Sequence, residues 1–117
     1  MEYQKYFVAK EPKDIDLIVG DDVFKLKVRN LPWALKNQIV SRCTTYTVNG
    51  EIKFDGDTYI KEVLKYRIVE APWGVTNEVF LIQLNDDLGD ALKTLVPNAF
   101  APSNVNRDEL KKESSVS

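Results

Sequence analysis

A chain of 117 residues, 44% apolar and 29% charged, has the length and make-up of one folded domain with its own core, which excludes extensive disorder. A net charge of −2 gives no overall field that draws nucleic acid, and the single cysteine, Cys43, excludes an internal disulfide and fits a reducing compartment. No apolar run approaches the roughly 20 residues that span a bilayer, and Met1-Glu2-Tyr3-Gln4-Lys5 lacks the layout of a secretory signal, so a cytoplasmic location with no membrane contact is expected.

Tyr3, Tyr6, Phe7 and Val8 are compatible with a first strand over residues 3–10, ended by Pro12. The next segment is clearer. Phe24, Leu26 and Val28 alternate with Lys25, Lys27 and Arg29, which predicts a half-buried strand. Ile15-Asp16-Leu17-Ile18-Val19 precedes it, and Gly20-Asp21-Asp22 supplies the turn, so residues 15–29 read as a β-hairpin. Asn30 is a candidate cap for a helix opening at Leu31-Pro32, in which Leu35, Ile39 and Cys43 recur at four-residue spacing as far as about Arg42. Thr44 to Phe54 is β-branched around Asn49-Gly50, which fits a short hairpin or a loop.

Asp55 or Asp57 then caps a helix whose Tyr59, Ile60, Val63, Leu64, Arg67 and Ile68 form a wide stripe, and Glu70-Ala71-Pro72 is expected to end it. Thr76 offers a new cap before the dense apolar run of Val79, Phe80, Ile82 and Leu84, and Leu88, Leu92, Leu95 and Val96 continue at helical spacing to Pro97. Gly89 within that run weakens the helix or admits a close neighbour. Beyond Ala99 too little apolar surface remains to offset the entropy of ordering. The expected architecture is therefore α+β, with one domain over 1–100, an N-terminal β-hairpin packed on a small bundle of about three to four helices, and a flexible tail over 101–117. Its expected core comprises Phe24, Leu26, Val28, Leu35, Ile39, Ile60, Leu64, Ile68, Leu88, Leu92 and Leu95.

The chain contains no histidine, which removes the commonest general base and metal ligand, and its five glycines belong to no phosphate-binding loop. Cys43 on an apolar helix face reads as a core residue, not a nucleophile. Asp86, Asp87 and Asp90, like Asp55 and Asp57, sit where helix starts favour negative charge, so neither metal nor cofactor is expected. Lys25, Lys27 and Arg29 form a basic strip, and Lys61, Lys65 and Arg67 a second. The acidic balance and the use of edge lysines against aggregation make nucleic acid the lesser reading. Trp33, Tyr59, Trp73 and Phe80 are the candidate partner-binding residues, each with core filling as its simpler alternative.

Leu31-Pro32-Trp33, the turn Asn49-Gly50-Glu51-Ile52-Lys53-Phe54-Asp55, then Tyr59, Glu62, Leu64, Glu70-Ala71-Pro72, Leu88-Gly89-Asp90-Ala91-Leu92 and Leu95-Val96-Pro97 together resemble the tail assembly chaperones of long-tailed bacteriophages and related prophages. The resemblance covers about two-thirds of the chain, and the N-terminal hairpin departs from the mostly helical members. It implies a non-enzymatic protein of the bacterial host cytoplasm that binds the tape-measure protein and tail-tube subunits during assembly. It carries no catalytic or fixed binding residues across. Two alternatives stand beside it: a virion structural component, such as a tail or head-to-tail connector subunit, and a small nucleic-acid-binding regulator using the basic strips.

Overall fold

A computed structural model describes residues 3–100. The tail expected over 101–117 lies outside the described residues. Within them the chain forms the expected α+β fold, with an N-terminal hairpin and four α-helices.

Strands β1 (Lys13–Val19) and β2 (Asp22–Val28) pair antiparallel along their whole length. Gly20 takes φ 60° at the first position of the connecting loop, a conformation that glycine adopts without the Cβ penalty and that suits a tight hairpin. The register places Leu17 opposite Phe24 and Ile15 opposite Leu26 on the inner face, while Asp14 faces Lys27 and Asp16 faces Lys25 on the outer face. The basic strip foreseen from Lys25 and Lys27 is thus interleaved with acids. Ile18 and Val23, paired at the far end of the same outer face, are both exposed.

Helix α1 (Trp33–Arg42) opens with Pro32, not Asn30, at the cap position, and no side chain satisfies its first amides. A two-stranded ribbon follows, of β3 (Thr44–Tyr46) and β4 (Ile52–Phe54), which resolves the Thr44–Phe54 segment in favour of a hairpin. Its loop is not a two-residue Asn-Gly turn. Thr47 and Glu51 close it by a backbone bond of 2.8 Å, and Gly50 alone has positive φ, at 83°. Asp55 then caps α2 (Gly56–Arg67): its carboxylate accepts from the Thr58 amide at 3.1 Å and the Thr58 hydroxyl at 2.6 Å. These bonds hold the Asp55 carboxyl below the usual aspartate range.

α2 ends at Arg67, earlier than the Pro72 signal suggests. Ile68–Glu70 instead forms β5, which pairs antiparallel with β2 through Val28–Ile68 and Lys27–Glu70 and completes a sheet of order β1-β2-β5. The two exposed helix termini that follow are both side-chain capped. Asn77 caps α3 (Glu78–Leu81) and Asn85 caps α4 (Asp86–Lys93), accepting from the Phe80 and Leu88 amides at 2.9 and 3.2 Å. Thr76 is not the cap, and α4 stops at Lys93, after which Leu95 and Val96 bond three residues back in a tighter turn. The possible strand over 3–10 is absent. Gln4–Tyr6 is a single 3-10 turn, and Tyr3, Tyr6 and Phe7 are exposed.

α2 is the spine of the packing because it is buried on two sides. Leu64 joins Leu17, Leu26, Val28, Ile68 and Leu92 between the sheet and α4, while Tyr59 and Val63 join Ile39 and Cys43 against α1. Ile60 and Val96 touch both clusters. All eleven expected core residues lie in one of the clusters or pack against one, Ile68 doing so from a strand. Cys43 is buried as expected, and burial, followed by the negative charges of Asp55 and Glu62, raises its thiol pKa.

Candidate protein-docking surface

The segment from Ala71 to Leu84 crosses from the sheet back to α4. Gly74, with φ 88°, closes a turn in which its amide bonds Ala71 O at 3.0 Å, and this reversal lays the Trp73 ring back over the fold. The ring stacks on Phe80 with centroids 4.8 Å apart and planes at 16°, and meets Phe24 edge-on at 5.8 Å. The indole N–H donates to Thr76 Oγ1 at 2.9 Å, so the hydroxyl that seemed available as a helix cap instead satisfies a half-buried tryptophan.

Two of the four candidate contact residues, Trp73 and Phe80, are therefore brought together, but as a half-buried clamp that anchors α3 to β2. Tyr59 is corrected outright as a contact. It is 3% exposed, its hydroxyl donates to Pro97 O at 2.8 Å, and its ring packs on Phe54 at 5.5 Å, so it presents no surface to a partner. Desolvation is the main cause of its raised pKa. Trp33 stands apart at the start of α1, 79% exposed.

The residues displayed by the clamp are different ones. Val75, Val79 and Ile82 are all exposed, Val79 and Ile82 in and at the end of α3 and Val75 in the loop before its Asn77 cap, whereas the sequence reads Val79 and Ile82 merely as part of a dense apolar run. Beside them lies a groove of about 180 Å³ between α2, α3 and α4, walled by Ile60, Leu64, Leu81, Leu84, Gly89 and Leu92. Asp57 and Lys61 stand at its rim, and Lys61 reaches Glu78 across it at 3.7 Å, an exposed pair of small energetic weight. Gly89 sits inside α4 with no positive φ, and a Cβ built there meets nothing within 4 Å. The glycine thus leaves one wall of the groove open.

Chemically this surface can bury apolar side chains and offers little else. Among the described residues no group of three or more His, Cys, Asp or Glu side chains could hold a metal ion, and no helix is long and apolar enough to cross a membrane. Comparison with protein-family models, with curated proteins and with solved structures finds no match for this chain.

Proposed function

We propose that this protein works by binding other proteins, as a tail assembly chaperone of a long-tailed phage or prophage that holds the tape-measure protein and tail-tube subunits in the host cytoplasm during tail morphogenesis. The observation that carries the binding reading is the exposed set Val75, Val79 and Ile82 alongside an apolar groove. Exposed aliphatic residues on and around α3, whose Leu81 walls the groove, are the kind of surface that a partner covers. The partner class comes from the resemblance in the Pro-Trp, Asn-Gly and Leu-Val-Pro punctuation.

Co-expression with the product of the longest helical reading frame beside its gene tests this. A complex that co-elutes in size-exclusion chromatography, together with absence of the protein from purified particles, is the expected outcome. Failure to form any complex with that product or with tail-tube protein would remove the reading. A virion structural role is the second reading, favoured by the outer edge of β1, which pairs with no strand among the described residues, and by the exposed Ile18–Val23 pair. Stoichiometric presence in purified particles would establish it in place of the first.

A further inference from the structure

We infer that the pocket beside Arg67, at the end of α2 and the turn after α4, binds a small molecule that carries one carboxylate on an apolar body. The pocket shares no residue with the groove beside α3, so the inference goes beyond the protein-binding reading and neither depends on the other. Size comes first. At about 470 Å³ the pocket lies within the roughly 300 to 1,000 Å³ of small-molecule sites. Charge comes next. Among the described residues Arg67 is the one charged side chain in the lining, and no aspartate or glutamate pairs with it.

The Arg67 guanidinium is half-buried without a counter-charge, a state that an incoming anion relieves. Its Nε and Nη1 are spent on the Arg29 and Leu95 carbonyls, whereas Nη2 has no acceptor among the described residues. A carboxylate brings the single negative charge that balances one arginine, in the planar form that its fork matches, whereas a phosphate brings more charge than one guanidinium cancels. Two side-chain amides add donors. Asn98 Oδ1 accepts from the Phe100 amide at 3.0 Å, which leaves Nδ2 to donate, and the Asn30 side chain makes no hydrogen bond among the described residues. The Thr94 hydroxyl is not a third, since it donates to Ala91 O at 2.6 Å. The apolar lining decides the other end of the ligand. Val8, Leu31, Val96 and Pro97 border the pocket, so an aliphatic or aromatic body gains by leaving water there.

The test uses the full chain, isotope-labelled for NMR, and four probes: hexanoate, acetate, hexanamide and inorganic phosphate. Saturable binding of hexanoate is expected, with shift changes concentrated in residues 29–31, 66–67 and 94–98. Acetate, which lacks the apolar body, and phosphate should bind at least about tenfold more weakly, and hexanamide, which lacks the charge, should not saturate. Arg67→Met also removes the bonds to Arg29 O and Leu95 O, so the decisive variant is Asn98→Asp. It keeps an acceptor for the Phe100 amide and places a carboxylate in the lining beside Arg67. Hexanoate binding should weaken at least about tenfold while the melting temperature stays equal or rises. Arg67→Lys keeps the charge and loses the fork, should weaken binding severalfold, and serves if Asn98→Asp fails to fold.

No saturation by hexanoate, shifts centred on another face, or unchanged binding in Asn98→Asp and Arg67→Lys would overturn the inference. Equal binding of hexanamide would show that the pocket takes apolar bodies without reading charge, and equal binding of acetate or phosphate that it takes anions without reading the body. Either result would also overturn it.

Discussion

Arg67 is the side chain whose removal best measures how the α2 C-terminus is held. Its Nε donates to Arg29 O at 3.1 Å and its Nη1 to Leu95 O, while the Arg29 amide returns a bond to Arg67 O at 2.8 Å and Arg29 Nε bonds Tyr66 O at 2.6 Å. The Arg29 guanidinium also lies 3.8 Å from the Tyr66 ring centre. The end of β2, the end of α2 and the turn after α4 are thereby clasped together, and burial lowers the Arg67 pKa. Arg67→Met keeps the stem and deletes both donors. Two hydrogen bonds from a charged group are worth about 1.5 to 3 kcal/mol each at full burial. Arg67 is only half-buried, so water replaces part of that, and a net loss of about 2 to 3 kcal/mol is expected. For a domain of this size that lowers the melting temperature by about 4 to 8 °C per kcal/mol. Arg67→Lys retains the charge but loses the planar fork that reaches two carbonyls at once, and should cost roughly half as much. Urea denaturation followed by circular dichroism, with an unchanged slope, reads the difference. Both recorded acceptors are carbonyls, so added salt should leave the gap between variants intact. A loss within about 0.5 kcal/mol for Arg67→Met, the range of ordinary surface changes, would refute the clasp.

Acid should weaken the start of α2. The folded Asp55 carboxyl titrates below its unfolded value, so its contribution is present above the unfolded pKa and is lost as pH falls through the folded one. Stability measured downward from about pH 4 should therefore fall less steeply in Asp55→Asn than in wild type, and identical slopes would count against the cap. Cys43, 3% exposed with a raised pKa, should resist iodoacetamide in the native protein and react promptly in urea. Rapid native alkylation would contradict its burial. Trp33→Ala should change stability by less than about 0.5 kcal/mol, because the ring is 79% exposed; a larger loss in chemical denaturation would show that the ring packs after all.

The sequence discloses those elements whose local pattern and tertiary role agree. The alternation of Phe24, Leu26 and Val28 against lysines and the four-residue rhythm of α1 are read directly, and the α2 cap is narrowed to Asp55 or Asp57, of which the fold uses Asp55, because sheet, helix and cap each use the preference already written in those residues. Ile68 misleads for the opposite reason. It extends the helical rhythm of Ile60 and Leu64, yet the edge of β2 at Val28 is satisfied by pairing with it, and β-branched Ile68-Val69 suits the strand. Thr76 has a side chain fit for two tasks, and only the folded position of Trp73 reveals which one it performs. The surface is harder still. Val79 and Ile82 are visible as apolar residues in one dimension, but whether they face inward depends on what lies across from them, and Trp73 and Phe80 have already taken the inner side.

The checkerboard on the outer face of the hairpin bears on how this protein survives at high concentration. β1 is a sheet edge, and an edge is a template on which further copies can grow. A second β1 aligned parallel and in register would set Asp14 on Asp14 and Asp16 on Asp16, and an antiparallel one centred on the strand would still oppose Asp16 to itself. Such stacking is penalised, because like charges set directly opposite one another across a strand pair are destabilising. Asp14 and Asp16 thus sit as gatekeepers in a strand that also carries Ile15, Leu17, Ile18 and Val19, the kind of edge on which unguarded copies would otherwise stack.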